Sequence, residues 1–339
     1  MAKSERNKTI ELTPQEVKRF GSKLITLKKP ADEADVINKT ITGKLETVSR
    51  FLPDSFVDLL FLDPPYNLDR EFAGVKFKEK PLEEYNLHLE EWIKPLLHTL
   101  KPDASIYICG DWRSAASVQT VASKYFIIRN RITWQREKGR GAKANWKSAS
   151  EDIWFCTMGK DYKFNLEAVK EKRQVIAPYR VDDKPKDWEE TADGNFRLTH
   201  PSNIWTDITV PYWSMPENTS HPTQKPEKLL AKIILASSGE GDVVFDPFLG
   251  SGTTSVTAKK LGRRYVGIEL NEEFGCVAEK RLETAESDRR IQGYEDGVFW
   301  ERNTLNKQAA GQAKKKSDSG NPKNTKRKNI PDEDAPALF

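Results

Sequence analysis

Short apolar runs separated by amphipathic stretches recur through the middle of the chain. Their alternation predicts a mostly parallel sheet covered by helices. The clearest run, Val57-Asp58-Leu59-Leu60-Phe61-Leu62, is short and bounded, as in a strand buried on both faces. Val36 to Ile41, Ser105 to Cys109, Phe126 to Gln135 and Asp152 to Met158 read as further strands. Lys44 to Phe51 and Ser114 to Ser123 read as helices. So does Tyr85 to Leu100, with Leu87, Trp92, Ile93, Leu96 and Leu97 on one side and Pro95 placed to kink it. Later, Pro226 opens a helix to about Ser237 that buries Leu229, Leu230, Ile233 and Ile234, and Gly239 ends it. Val243 to Asp246 is a strand, Pro247 to Gly252 a glycine-rich turn, Thr253 to Leu261 a helix closed by Gly262, and Tyr265 to Glu269 a second strand. Together they make a βαβ unit.

Other stretches are less regular. Residues 1–34 are polar and mixed in charge, with a helical pattern around Pro14 to Leu24, and read as an appended arm without an assigned role. Residues 160–220 show weak periodicity and mix charges and prolines with Trp188, Phe196, Trp205, Tyr212 and Trp213. So long an irregular stretch within a domain usually serves function, although a structural insertion fits equally well. From Asn306 to Phe339 the chain is low in complexity, with Lys314-Lys315-Lys316 and Lys326-Arg327-Lys328 before Asp332-Glu333-Asp334. It reads as a disordered charged tail.

Composition narrows the class. The 339 residues suffice for one large α/β domain with an insertion, or for two domains. Net charge is +4, which permits a polyanionic partner without requiring one, and the mean hydropathy of −0.70 implies strongly solvated segments. Cys109, Cys156 and Cys276 are scattered and form no disulfide framework. His88, His98, His200 and His221 do not cluster with them, so no structural metal is expected. No run approaches membrane-spanning length and the N-terminus has no signal-peptide core, which predicts a cytoplasmic protein.

The Val57 run ends in Asp63-Pro64-Pro65-Tyr66. Neither proline can donate to a strand ladder, so the strand stops here. A carboxylate and an aromatic ring are left at the carboxyl edge, where ligands bind in open α/β sheets. An exocyclic amino group on a base is a poor nucleophile because its lone pair is delocalised into the ring. A carboxylate and the Pro64 carbonyl accepting its hydrogens would favour a pyramidal nitrogen, and Tyr66 could stack on the base, worth about 1–3 kcal/mol. A plain proline turn with an exposed tyrosine explains the tetrapeptide alone about as well.

The βαβ unit adds the deciding information. Such a unit binds an adenine nucleoside, with its glycines allowing close approach and the second acid, Glu269, suited to ribose hydroxyls. A dinucleotide fingerprint would need glycine at Ser255, and a phosphate-binding loop would need a lysine in the turn. Asp246 just before the glycines favours a cationic group over a pyrophosphate, and S-adenosyl-L-methionine, with its ammonium and sulfonium, fits.

Taken together, Asp63-Pro64-Pro65-Tyr66, Asp246-Pro247-Phe248-Leu249-Gly250-Ser251-Gly252 and His221-Pro222-Thr223-Gln224-Lys225-Pro226 resemble the motifs of the S-adenosylmethionine-dependent DNA amino-methyltransferases. With the catalytic motif first, the order looks like the β group. The resemblance covers about Val36 to Leu282. It implies a Rossmann-like methyltransferase fold with a seven-stranded, mostly parallel sheet, helices on both faces, and the two motif strands adjacent. It divides the chain into the arm (1–34), a catalytic half (35–159), a target-recognition insertion (160–220), a cofactor-binding half (221–300) and the tail (306–339). The implied catalytic residues are Asp63, Pro64, Pro65 and Tyr66. The implied cofactor residues are His221, Thr223, Lys225, Asp246, Pro247, Phe248, Gly250, Ser251, Gly252, Thr253, Glu269 and Asn271, with Thr223 and Lys225 on the methionine carboxylate. One departure is Gly43-Lys44, where many relatives carry Gly-Asp, so Lys44 is left out.

The implied reaction is direct in-line methyl transfer to a base flipped out of double-stranded DNA. Asp63 at the first motif position points to adenine N6, with cytosine N4 as the alternative. No cysteine follows a proline, so the cysteine-based route to ring carbons is missing. RNA or protein-glutamine methylation fits less well, and a DNA-binding module without activity is the reading of another class. Arg129 to Lys147 carries seven basic side chains against one acid. Arg136, Lys138, Arg140, Lys143, Trp146 and Lys147 are its expected DNA contacts. The implied partners also include a second copy of the chain and a restriction endonuclease acting on the same DNA site.

Overall fold

The Val57–Leu62 strand is buried along its whole length because it has a strand on either side and helices over both faces. The computed structural model describes residues 4, 6–72, 75–136, 144, 146–175, 180–181, 184–185, 187–191 and 194–301. They fall in one compact unit of residues 1–302, and the tail of the sequence reading lies outside the described residues.

The main sheet runs Lys39–Thr42, Arg264–Glu269, Val243–Asp246, Val57–Leu62, Leu100–Gly110, Ser150–Thr157, Ile127–Gln135 and Ile204–Trp205. The first five strands are mutually parallel, and Ser150–Thr157 is antiparallel to both of its neighbours. Among the described residues the sheet therefore has eight strands rather than seven, the eighth being the two-residue Ile204–Trp205 strand parallel to Ile127–Gln135. The period-2 alternation of side chains sorts the core into two layers. Leu60, Leu62, Ile106 and Ile108 face Val48, Leu89, Ile93, Val118 and Val121 on one side. Leu59, Phe61, Tyr107 and Cys109 face Leu229, Ile233, Val256 and Leu282 on the other.

Several local expectations are corrected. Val36 ends a short Glu33–Val36 helix, and the edge strand begins only at Lys39, after Asn38 turns the chain with a positive φ. The helix expected from Tyr85 to Leu100 is α-helical over Leu82–Ile93, tightens to a 3₁₀ turn over Lys94–Thr99 where Pro95 enters, and gives way to strand at Leu100. Its buried face is Tyr85, Leu89 and Ile93, while Leu87 is 61% exposed. The Glu227–Ser237 helix is buried all round, not on one face. Its second face, Ala231, Leu235 and Ala236, packs on Val169, Ile291 and Phe299.

That second face is covered by a structure the periodicity did not show. Glu189–Thr191, Gly194–Thr199, Glu171–Gln174, Val298–Trp300 and Tyr294–Glu295 form a five-stranded sheet. Part of the stretch expected to be irregular is therefore sheet. Lys232, on the buried helix, is 2% exposed and pairs with Glu171 at 2.5 Å and Asp207 at 2.9 Å. Buried charges of this kind persist only when paired.

The N-terminal arm is part of the fold. Thr13 and Glu16 form a capping box at the Pro14–Gly21 helix, Phe20 is fully buried, and Arg19 and Lys23 pair with Glu283 at 2.7 and 2.9 Å. Ile25 bridges Ile41 on the edge strand. Among the described residues no helix is long and apolar enough to cross a membrane.

Phe299→Ala is expected to cost about 3–5 kcal/mol of stability in urea unfolding, and Leu87→Ala less than about 0.5 kcal/mol. Equal costs would contradict the burial of Phe299 against the Glu227–Ser237 helix and the exposure of Leu87.

Candidate active site

Parallel pairing brings the carboxyl ends of three neighbouring strands to one edge. Val244 lies opposite Leu59 and Phe245 opposite Leu60, while Asp246 lies opposite Gly267. Asp63, Asp246 and Glu269 thus leave the sheet side by side.

The loop after Val57–Leu62 is held from several sides. The Tyr85 hydroxyl donates to the Pro65 carbonyl at 2.9 Å, and the Asn67 amide donates to Ser114 Oγ at 3.2 Å. Asn67 also exchanges two 2.8 Å hydrogen bonds with the Lys80 backbone. Within the loop, Lys225 Nζ lies 2.6 Å from Asp63 Oδ2 and donates to the Tyr66 hydroxyl at 3.3 Å. The Tyr66 hydroxyl in turn is 3.0 Å from Asp63 Oδ1 and 3.2 Å from Glu151 Oε2. Arg136 donates to the other oxygen of Glu151. Burial pushes the Asp63 carboxyl up, with Lys225 acting against it. Burial alone would lower the Lys225 ammonium, but Asp63 and Glu151 outweigh it and lift the pKa, so Lys225 is a cation.

The glycine turn faces this cluster. Gly250 has φ +56°, and a Cβ there would meet His221 Nε2 at 2.8 Å, so only glycine lets the histidine close on the turn. Asp246 accepts from the Phe248 amide at 2.9 Å and from the Thr254 hydroxyl at 2.5 Å. Glu269 accepts from the Gly250 amide at 2.7 Å and the Asn271 amide at 2.8 Å. Burial pushes both carboxyls up to about 7.

A cavity partly open to solvent lies between the two loops. Of the residues expected from sequence, Asp63, His221, Thr223, Lys225, Asp246, Phe248, Gly250, Ser251 and Thr253 line it. Pro64, Pro65, Tyr66, Pro247, Gly252, Glu269 and Asn271 do not. Gly252, with φ +85°, lets the turn approach Ala278, where a Cβ would come within 2.5 Å of the alanine's own. Asn271 caps the Glu272–Ser287 helix through the Phe274 amide at 3.1 Å, and Glu269 fastens the turn by its backbone rather than facing the cavity. Lys225, expected on the cofactor carboxylate, is bound to Asp63 where it lines the cavity. Phe61, Gln224, Leu249 and Thr254 also line the cavity and were not foreseen. Nor was Glu151, an acid at the start of an apolar strand with no motif around it.

The basic stretch divides. Arg136 is committed to Glu151, while Trp146 is 96% exposed and Lys147 is exposed beside it. Lys138, Arg140 and Lys143 lie outside the described residues. Arg129 is folded back onto Thr157 and Gly159 at 3.0 and 2.9 Å.

A family profile described as DNA methylase matches residues 57–280. The DNA adenine methyltransferase YhdJ of Escherichia coli (strain K12) is 35% identical over 244 residues, spanning 69% of this chain and 79% of its own. The type II methyltransferase M.HpaI of Haemophilus parainfluenzae is 32% identical over 238 residues, 69% of this chain and 70% of its own. Among solved structures, the cytosine-N4-specific PvuII DNA methyltransferase has a TM-score of 0.54 at 16% identity. The alignment covers 78% of this chain and 92% of that one, a likeness of fold.

Because Asp246 and Glu269 hold protons up to about pH 7 in the folded state, the folded chain binds more protons than the unfolded one between about pH 4.5 and 7. Their contribution to stability therefore falls as pH rises through that window. Thermal unfolding of Glu269→Gln is expected to show a shallower loss over this range than the parent chain. Identical slopes would contradict the buried carboxyl.

Proposed function

We propose, from the premise that this chain belongs to the N6/N4 DNA methylase family and is a DNA methyltransferase, that it methylates the exocyclic N6 of adenine in double-stranded DNA at a specific site. The observation that carries the proposal is the sharing of one cavity by Asp63 and Asp246.

The cavity suits S-adenosyl-L-methionine. Asp246 offers a carboxyl that a neighbouring cationic group would hold ionised, Gly250 leaves room for close approach, and Thr223, Ser251 and Thr253 add hydroxyls. When bound, that cofactor supplies an electrophilic methyl group on a sulfonium whose bonding electrons remain on sulfur. The remaining chemistry belongs to side chains and backbone. Asp63 and the Pro64 carbonyl accept the two hydrogens of the amino group, so its lone pair turns out of the ring plane. Tyr66 stacks on the base. After the methyl is taken up, the nitrogen carries a positive charge beside Asp63 and passes one proton to that carboxylate, which returns it to water. Alignment of donor and acceptor in one cleft is the main source of acceleration. The base must leave the duplex to reach Asp63, at a cost of about a few kcal/mol.

Asp63 in the first motif position and the 35% identity to a relative named as an adenine methyltransferase support adenine over cytosine. Relatives named as type II methyltransferases support a place beside a restriction endonuclease that reads the same site. Exposed Trp146 and Lys147 are suited to base stacking and phosphate contact.

Incubation with tritiated-methyl cofactor and genomic DNA, followed by digestion to nucleosides, is expected to put the label in N6-methyldeoxyadenosine. Asp63→Ala is expected to lower incorporation by about a hundredfold or more. Label in N4-methyldeoxycytidine would overturn the adenine assignment, and equal incorporation by the variant would remove Asp63 from the reaction.

A further inference from the structure

We propose that Glu151 is a positioning residue of the transfer site: it is the carboxylate onto which Lys225 and the Tyr66 hydroxyl shift when a target amino group takes their place on Asp63. This rests on the amino-methylation reading above.

Both oxygens of Asp63 are engaged. Oδ2 holds the Lys225 ammonium at 2.6 Å and Oδ1 the Tyr66 hydroxyl at 3.0 Å. A neutral amino group competes poorly against a charge-assisted hydrogen bond of that length. Nor can the ammonium be released without a new partner. Its side chain is 8% exposed, and stranding a buried charge is strongly unfavourable.

Glu151 resolves the conflict. Its Oε2 lies 3.4 Å from Lys225 Nζ and 3.2 Å from the Tyr66 hydroxyl, so each donor now on Asp63 has the same second acceptor close by. The Glu151 side chain is itself 7% exposed, and Arg136 holds it by the opposite oxygen, Oε1. Oε2 is thereby left facing the site. Asp63 and Glu151 are balanced by Lys225 and Arg136, so a shift of Lys225 from one carboxylate to the other changes no net charge and needs little movement. Strand pairing fixes the geometry, since Glu151 sits opposite Trp134 two residues from Arg136.

The test is a double-mutant cycle on the single-turnover rate of methyl transfer to DNA, with Glu151→Gln, Lys225→Met and the pair. Glu151→Gln is expected to slow transfer about tenfold or more while Lys225 is present and by less than about twofold in the Lys225→Met background. Its affinities for cofactor and DNA are expected to stay within about threefold of the parent. Glu151→Asp, which keeps the charge, should recover part of the rate, and it replaces Glu151→Gln in the cycle if that variant unfolds. Equal costs in both backgrounds, or a Glu151→Gln variant at the parent rate, would overturn the proposal while Asp63-dependent transfer by the parent upholds the amino-methylation reading. A parent chain without Asp63-dependent transfer would overturn both.

Discussion

Backbone hydrogen bonds between the Val57–Leu62 and Val243–Asp246 strands decide where every reacting group lies. The two strands are far apart in the chain, yet their parallel register puts Asp63 and Asp246 at one edge of one sheet. Parallel strands cannot be joined by a tight turn, so the long connection between them is free to carry the strands on the Leu100–Gly110 side of the sheet, part of the second sheet and the segment that bears His221 and Lys225. Each face of the motif strands is filled with apolar side chains. A register slip of one residue would turn Leu60 and Leu62 out of one core and Phe61 out of the other, so burial fixes the position of the carboxylates that follow.

Charge is then distributed about that edge with little access to water. Lys225 ties the segment before the Glu227–Ser237 helix to the Asp63 loop. That helix is held in turn by Glu227 with Arg281 at 3.0 Å and by Lys232 with Glu171 and Asp207. Arg281 also donates to the Ser251 carbonyl and the Thr253 hydroxyl, both at 2.9 Å, so the same buried guanidinium ties the helix to the glycine turn. Loss of one partner would strand the other in a low-dielectric interior, which is why these contacts constrain geometry more than they add stability.

Much of the arrangement was legible from local chemistry. Asp63-Pro64-Pro65-Tyr66 and the turn from Pro247 to Gly252 declare themselves because prolines and glycines have backbone consequences wherever they occur. The Glu227–Ser237 helix was legible as a helix but not as one buried on two faces. Its second cover includes strands of two to six residues, drawn from both 171–199 and 294–300, too short for any period to register. The roles of Lys225 and Glu151 were hidden for a different reason. A lysine in a recognisable motif and an acid before an apolar run carry no sign of which distant group each will meet. Glu269 and Asn271, where a cofactor contact was expected, also hold backbone amides of the glycine turn and of the following helix, a second task no motif announces.

The central claim is that one cleft holds the methyl donor against Asp246 and the acceptor amino group against Asp63. Calorimetric binding of a bisubstrate analogue, an adenine tethered through N6 to the adenosyl group at the sulfur position, tests it directly. The account predicts tighter binding than either half alone and a loss of affinity in both Asp63→Ala and Asp246→Ala. An analogue that binds no better than its adenosyl half, and whose affinity is indifferent to Asp63→Ala, would contradict it.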